Sequence, residues 1–252
     1  MRSKEQAPQK PEATQEIETN TARSDSTKPN SAKSGSAKSV EARSGSAKAG
    51  SSKPKYHHGD LRPTLLKAAT AMIKDGGVEA LSLRKLAEIV GVSRTATYHH
   101  FKDKHDLLCA VAAQGFLTWQ EREKAIFNDD SLPIEDRYRQ FVFNYIDFAA
   151  NNPALYDLMF GSTLWKNDKP TDDLRNVAYP AFQHQVEMTK TWQENGILPQ
   201  GEKTLRLAQV TWGTIHGIAR LLIDGIYADA SSVEEMCECA VNLFVKTANQ
   251  QA

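Results

Sequence analysis

After residue 56, the chain repeats its apolar side chains at a spacing of three or four residues. In the first such segment Leu61, Leu65, Ala69, Met72 and Ile73 fall on one face of a helix. Glycines and prolines separate the segments, and no run shows the alternation of Val, Ile and Thr that is typical of strands. The sequence therefore predicts an all-α fold.

Capping residues indicate where the helices begin and end. Ser82, Ser93 and Asp103 are suited to N-caps, and Gly91 can adopt the left-handed backbone that ends a helix. They predict three helices that follow a first helix ending at Gly76-Gly77. Later helices are expected around residues 133–151, 153–161, 171–196, 202–225 and 232–249.

The formal net charge of zero conceals an uneven distribution of charge along the chain. Residues 1–55 hold 11 basic and 6 acidic residues, and residues 56–118 hold 8 and 6, so their net charges are +5 and +2. Residues 119–252 hold 12 and 19, a net charge of −7. This asymmetry indicates one segment that meets a polyanion, joined to one that does not.

Residues 1–55 have the composition of a disordered, basic, low-complexity tail. They contain no aromatic residue, and from Lys28 to Lys53 a Lys or Arg recurs every five residues. This period matches neither a helix nor a strand, and so few apolar side chains cannot offset the entropy cost of ordering. Two interpretations stay open, a solvated linker or a flexible arm that is attracted to nucleic-acid phosphates.

Residues 81–108, LSLRKLAEIVGVSRTATYHHFKDKHDLL, place two short helices on either side of a tight turn at Gly91-Val92. Ala87 is small where the helices would cross, and the second helix is rich in Arg, Thr, Tyr and His. These features are typical of a helix-turn-helix, whose second helix enters the major groove of DNA. The pattern alone also fits an ordinary helical corner of a bundle.

The C-terminal part of residues 81–108 contains a more specific signature. Tyr98, His100, Phe101, Lys104 and Leu107 fit the pattern Tyr-x-His-Phe-x-x-Lys-x-x-Leu, and here the chain resembles the DNA-binding domain of TetR/AcrR-type repressors. The upstream segment YHHGDLR resembles the start of that domain in one subgroup, so the resemblance spans about 60 residues.

A second, shorter resemblance lies near the C-terminus. Trp212, His216 and Gly217 resemble the Trp-x-x-x-His-Gly motif of the C-terminal domain in the same subgroup. The resemblance implies an N-terminal three-helix helix-turn-helix domain in residues 56–118. It also implies a helical ligand-binding and dimerisation bundle in residues 119–252, with residues 1–55 as the tail.

The resemblance implies separate roles for residues of the helix-turn-helix, and their chemistry agrees. An arginine can donate two hydrogen bonds to a guanine, and a threonine or alanine methyl can contact a thymine methyl. Phosphate contacts instead fix the register of the protein on DNA. Base contacts are expected from Arg84, Arg94, Thr95 and Ala96. Phosphate contacts are expected from Ser82, Tyr98, His99, His100 and Lys104. Thr97 departs from the family pattern, which often has an apolar residue there, and is expected to be half-buried.

Of the 20 Phe, Trp and Tyr residues, 16 lie in residues 119–252. Most are expected to form the core, but such a surplus also suits a hydrophobic ligand cavity between helices. His216 is either a hydrogen-bonding residue of that cavity or a packing histidine beside Gly217. The predicted cavity wall consists of Phe141, Tyr145, Phe148, Tyr156, Met159, Phe160, Trp192, Trp212 and His216.

Segments 205–226 and 233–244 are amphipathic, and the resemblance implies that they pair with their copies in a homodimer. The function that it implies is a ligand-responsive transcriptional repressor. Such a protein binds a palindromic operator in double-stranded DNA and is released by a small hydrophobic effector. The alternative is a helical small-molecule carrier or scaffold that has lost DNA binding.

Other classes of protein find little support in the sequence. The longest apolar run, residues 107–113, is shorter than the roughly 20 residues of a membrane span, and no secretory signal precedes it. Cys109, Cys237 and Cys239 are too few for a disulfide framework, so we expect a cytoplasmic protein. No zinc-like ligand spacing, phosphate-binding glycine loop or nucleophile elbow occurs, so no metal, cofactor or enzymatic activity is expected.

Overall fold

The computed structural model describes residues 61–167, 170–227 and 230–249, and the predicted basic tail lies outside these ranges. Within them the chain forms helices and no strand, so the all-α prediction is confirmed. The α-helices are α1 (Leu61–Gly76), α2 (Leu83–Val90), α3 (Arg94–His100), α4 (Lys104–Phe127), α5 (Ile134–Asn151), α6 (Pro153–Phe160), α7 (Asp172–Glu194), α8 (Thr204–Ile223) and α9 (Ala230–Asn249). None of these helices combines the length and the apolar character that a membrane span requires.

The predicted caps of α2, α3 and α4 are confirmed. Ser82, Ser93 and Asp103 each accept a hydrogen bond from the backbone N–H three residues later, at 3.2, 3.2 and 2.8 Å. Each bond satisfies a donor that has no partner within the helix. Gly91 ends α2 with a φ of 76°, so the turn between α2 and α3 depends on a left-handed residue.

Helices α1, α2 and α3 pack around an apolar core at the N-terminal end of α4. Leu65, Leu86, Phe101 and Leu107 are buried in this core, and each contributes about 1.5–3 kcal/mol by its removal from water. The guanidinium of Arg62 lies 5.4 Å from the ring centroid of Phe101. The short α3 is therefore held in place by tertiary contacts, because seven residues are too few for an independent helix.

Helix α4 continues without interruption past residue 118, where the sequence predicts the domain boundary. Helices α1, α5, α6 and α7 all pack against it. The two predicted domains therefore share one helix.

The segment after α6 has a feature that the sequence did not predict, whereas the passage of α7 through Pro180 agrees with the helix predicted for residues 171–196. Residues Thr163–Asn167 form a turn of π-helix after α6, and the indole N–H of Trp165 donates to the carbonyl of Met159 at 2.6 Å. Helix α7 continues through Pro180, whose side chain is exposed. A proline inside a helix removes one backbone hydrogen bond, so the surrounding packing has to compensate for that loss.

Candidate functional site

Helix α3 presents polar side chains at the surface of the helix-turn-helix. Arg94, Thr95, Tyr98 and His99 are exposed, and the exposed fraction of the Tyr98 side chain is large for an aromatic residue, at 57%. Ala96 and His100 are half-buried. The structure thus exposes most of the residues for which the sequence predicts DNA contacts, on one short helix.

Thr97 lies on the opposite, buried face of α3. It is fully buried rather than half-buried as expected from the sequence. Its hydroxyl donates to the backbone carbonyl of Arg94 at 2.7 Å, so burial leaves no unpaired polar group. This local hydrogen bond lets a threonine occupy a position where an apolar residue is common in the family.

The remaining predicted DNA contacts lie around α3. Arg84 on α2 is exposed, and its guanidinium forms an ion pair of 3.1 Å with Glu88 one turn later. Lys104 begins α4, and its ammonium group lies 3.7 Å from the carboxylate of Glu79. Ser82 is exposed but uses its hydroxyl as the cap of α2. Both ion pairs are exposed, contribute at most about 1 kcal/mol, and are easily exchanged for phosphate contacts.

A cavity of about 410 Å³ lies between α4, α6, α7 and α8. Its aromatic lining comprises Phe116, Trp119, Phe160, Trp165, Phe182 and Trp212. Met159, Ala178, Tyr179 and Gln185 complete the wall. A cavity of this size with an apolar wall and a single amide has the character of a small-molecule site.

The nine residues predicted for a ligand cavity fall into three groups. Met159, Phe160 and Trp212 line the cavity. Tyr145, Tyr156 and His216 lie beside it in a hydrogen-bonded cluster described below. Phe141, Phe148 and Trp192 are buried outside its wall, and the rings of Phe141 and Trp192 pack 5.1 Å apart.

Sequence reasoning missed the cavity residues of α4 and α7. Phe116 and Trp119 are three residues apart on α4, and Ala178, Phe182 and Gln185 share one face of α7. The helical spacing was readable in the sequence. On α4 this spacing crosses the predicted domain boundary, because Phe116 lies in residues 56–118 and Trp119 in residues 119–252.

A chain of hydrogen bonds runs from the cavity wall to His216. The indole N–H of Trp212 donates to the hydroxyl of Tyr145 at 2.9 Å, and this hydroxyl lies 2.9 Å from that of Tyr156. The Tyr156 hydroxyl lies 2.5 Å from Nδ1 of His216. Burial, followed by the nearby charge of Arg220, lowers the pKa of His216, while burial raises the pKa values of both tyrosines. The cluster is therefore uncharged at neutral pH, and His216 has a partner within the protein.

Two of the buried polar side chains that lack a hydrogen-bond partner among the described residues lie in the cavity wall or one turn from it. Gln185 is 1% exposed, and both atoms of its side-chain amide lack a partner. Glu123, one turn after Trp119 on α4, is also 1% exposed, and neither carboxyl oxygen has a partner. Burial raises the pKa of Glu123 well above its usual value. Such groups destabilise the folded state unless another molecule pairs with them.

An apolar surface on α8 and α9 stays uncovered in the single chain. Val210 and Leu243 are 58% and 64% exposed, and both line a groove together with Leu207 and Phe244. A Cβ atom added at Gly213 would meet no atom within 4 Å. Several large exposed apolar residues on neighbouring helices are typical of a protein interface.

Comparisons with known proteins agree with the fold. Residues 65–111 match the family model of bacterial regulatory proteins of the tetR family. Residues 138–244 match the tetracyclin repressor-like C-terminal domain. The first match covers the helix-turn-helix, and the second covers α6, α7 and α8, which line the cavity together with α4.

Individual relatives extend over different lengths. The HTH-type transcriptional regulator AcrR of Shigella flexneri is 37% identical over 174 residues, which cover 66% of this chain and 80% of that protein. The tetracycline repressor protein class C of Escherichia coli is 38% identical over 69 residues, which cover 27% of this chain and only 31% of that repressor. A protein of unknown function from Rhodococcus sp. RHA1 has a solved structure with a TM-score of 0.67 and 30% identity, covering 77% of this chain and 98% of that one.

The fold therefore defines a helix-turn-helix regulator whose C-terminal helices enclose an apolar cavity. The chain belongs to the TetR family of bacterial regulatory proteins. The family prediction is confirmed, while membership of the Trp-x-x-x-His-Gly subgroup stays a prediction.

Proposed function

We propose that this protein is a transcriptional repressor that binds a palindromic operator as a homodimer and is released by a small hydrophobic effector. The observation that carries the proposal is the position of α4. This helix begins at Lys104, beside the recognition helix α3, and carries Phe116 and Trp119 into the cavity wall. One rigid element thus connects a DNA-reading surface with a ligand site.

On the DNA side, α3 enters the major groove. Arg94 and Thr95 contact base edges, with Ala96 and Arg84 as further base contacts. Tyr98, His99, His100, Ser82 and Lys104 hold phosphates, and the N-terminus of α4 adds its backbone N–H groups. The exposure of Arg94, Thr95, Tyr98 and His99 supports these roles.

On the ligand side, α6 provides a second connection to the helix-turn-helix. Met159 and Phe160 of α6 line the cavity, and α6 packs against α1. Helices α4 and α6 approach closely at Gly115, where an added Cβ would lie 2.7 Å from the sulfur of Met159. An effector that displaces Met159 therefore acts on both α4 and α6. If it binds better to a state in which the two recognition helices no longer fit successive major grooves, DNA affinity falls.

The exposed apolar surface of α8 and α9 supports the homodimer. A two-fold dimer presents two copies of α3 to the two halves of a palindrome, spaced by the helical repeat of DNA. The repressor direction of control is supported by the match of residues 138–244 to the tetracyclin repressor-like C-terminal domain and by the similarity to the tetracycline repressor protein class C.

A gel-shift experiment with the DNA upstream of the protein's own gene tests the proposal. The wild-type dimer is expected to retard a fragment that contains a palindrome, and small hydrophobic compounds are expected to release it. Absence of any DNA binding would favour the alternative function, a helical carrier or scaffold. DNA binding that no hydrophobic compound weakens would indicate a constitutive regulator.

A further inference from the structure

We propose that the effector is an uncharged, flat apolar molecule with an adjacent hydrogen-bond donor and acceptor, such as a lactam or carboxamide, which the side-chain amide of Gln185 binds. This inference rests on the proposed function, because it treats the cavity as the effector site. It narrows the range of expected effectors from hydrophobic compounds in general to one chemical class.

Polar groups in the cavity wall come from Trp119, Trp165, Tyr179, Gln185 and Trp212. Tyr179 is 58% exposed, so water can pair with its hydroxyl. The indole N–H groups of Trp165 and Trp212, both in the wall, already donate to Met159 and Tyr145. Among the buried side-chain polar atoms that lack a partner in the described ranges, those of Gln185 are the ones that belong to a wall residue. Its amide offers one donor and one acceptor side by side, and a group with the reverse arrangement satisfies both.

The remainder of the wall favours a flat apolar body. Six of the ten wall residues are Phe or Trp, whose ring faces suit stacked or edge-on contacts with another ring system. Phe116 and Phe160, for example, already pack edge-on at a centroid distance of 5.2 Å. Burial of apolar surface against these rings supplies affinity, while Gln185 supplies selectivity.

Charge excludes an anionic effector. The wall contains no Lys, Arg or His. The carboxyl of Glu123, one turn after Trp119 on α4, is buried without a partner, and burial favours its neutral form. A carboxylate ligand would enter the cavity without a counterion in the wall, so an uncharged ligand is preferred.

Equilibrium dialysis of the full-length protein with three tricyclic probes tests the inference. The probes are phenanthridin-6(5H)-one, which is a lactam, phenanthrene, which has no polar group, and phenanthrene-9-carboxylate. Each is measured with the wild type and with Gln185→Met, which keeps the length of the side chain but removes the amide. Replacing an unpaired buried amide by an apolar group of similar shape is expected to preserve the fold. Gln183→Met, at an exposed position of α7, is the matched control.

The measured quantity is the ratio of the dissociation constants of lactam and phenanthrene. The difference between the two probes in transfer from water cancels when this ratio is compared between the wild type and a variant. We expect Gln185→Met to weaken binding of the lactam relative to phenanthrene by at least about tenfold, and Gln183→Met to leave the ratio unchanged. An unchanged ratio in Gln185→Met, tightest wild-type binding of the carboxylate, or no binding of the lactam would each overturn the inference.

A parallel gel shift separates this inference from the proposed function. If the lactam binds with the Gln185-dependent ratio but does not release DNA, the cavity chemistry holds and the proposed ligand response fails. If other compounds release DNA while the lactam ratio does not depend on Gln185, the ligand response holds and the assignment of the effector class fails.

Discussion

The buried and exposed faces of α3 divide its residues by role. Thr97 and Phe101 anchor the helix and its C-terminal end, while Arg94 and Tyr98 project from the surface. Lys104 is offset from this helix and paired with Glu79. Base reading and phosphate contact are thus assigned to different side chains, which makes them separable by mutation.

Substitution of Arg94 is expected to change sequence preference, whereas substitution of Lys104 is expected to change general affinity. Arg94→Ala removes a side chain that can form two hydrogen bonds with guanine, so discrimination at one base pair should fall by about 1–3 kcal/mol. Lys104→Ala removes one phosphate contact, which weakens all sequences alike and lowers the salt slope by about one unit. Operator variants titrated at several salt concentrations measure both effects.

The control for these two variants is Lys190→Ala, at an exposed position of α7. It should alter neither base preference nor salt slope. If Arg94→Ala kept the wild-type base preference, its assignment as a base-reading residue would be wrong.

The buried carboxyl of Glu123 predicts a pH-dependent stability. An unfolded glutamate titrates near pH 4.3, whereas burial raises the pKa of Glu123 in the folded protein. Above the unfolded pKa, the unfolded chain releases this proton while the folded chain retains it, so the free energy of unfolding falls as pH rises. The loss ends once pH exceeds the folded pKa, and amounts to about 1.4 kcal/mol for each unit by which the pKa is raised. Tyr145, its interacting neighbour, stays protonated because burial raises its pKa well above 10.

Glu123→Gln should therefore be more stable than the wild type at pH 7.5, with the difference shrinking towards pH 4.5. Urea unfolding across this pH range measures it, and Glu121→Gln, at an exposed position of the same helix, serves as the control. A difference between Glu123→Gln and the wild type that does not vary with pH would show that Glu123 is ionised in the folded protein.

Among the secondary-structure elements, the turn between α2 and α3 has the strictest conformational requirement. Gly91 has a φ of 76°, and an added Cβ would meet no atom within 4 Å. Gly91→Ala is therefore expected to destabilise the helix-turn-helix through backbone conformation alone, by about 1–2 kcal/mol. Urea unfolding followed by circular dichroism checks this value. Gly91→Asn should cost less, since asparagine tolerates the left-handed region, and equal stability of Ala and Asn would contradict the explanation.

The sequence predicted helices and caps because their causes are local. Ser82, Ser93 and Asp103 each cap a helix with a bond to a residue three positions away, so the sequence contains both partners. The cavity was predicted less completely, because its wall depends on which faces of four helices meet. Phe116 and Gln185 are 69 positions apart, and no local pattern shows that they share a wall. The π-helical turn after α6 likewise has no strong local signature.

For the molecule as a whole, the uneven charge agrees with the placement of the sites. Residues 56–118, with a net charge of +2, contain the helix-turn-helix, and residues 119–252, with −7, contain most of the cavity wall and the surface of α8 and α9. An acidic C-terminal half is repelled by phosphates and favours approach of DNA through α3. Because the net charge of residues 56–118 is only +2, DNA affinity depends more on the placement of residues such as Arg94 than on total charge.

The exposed apolar surface of α8 and α9 predicts that the protein forms a dimer through these helices. Val210→Asp places a charge at an apolar position that is 58% exposed in the single chain and would be buried against the partner. A buried charge without a counterion is strongly unfavourable, so the variant is expected to be monomeric at micromolar concentrations. Analytical ultracentrifugation measures this state, and Leu117→Asp, at an exposed apolar position of α4, is the matched control. A Val210→Asp protein that stays dimeric would place the interface on another surface.

Since each subunit supplies one recognition helix, the monomeric variant should also lose most of its affinity for a palindrome, while its affinity for a half-site is unchanged.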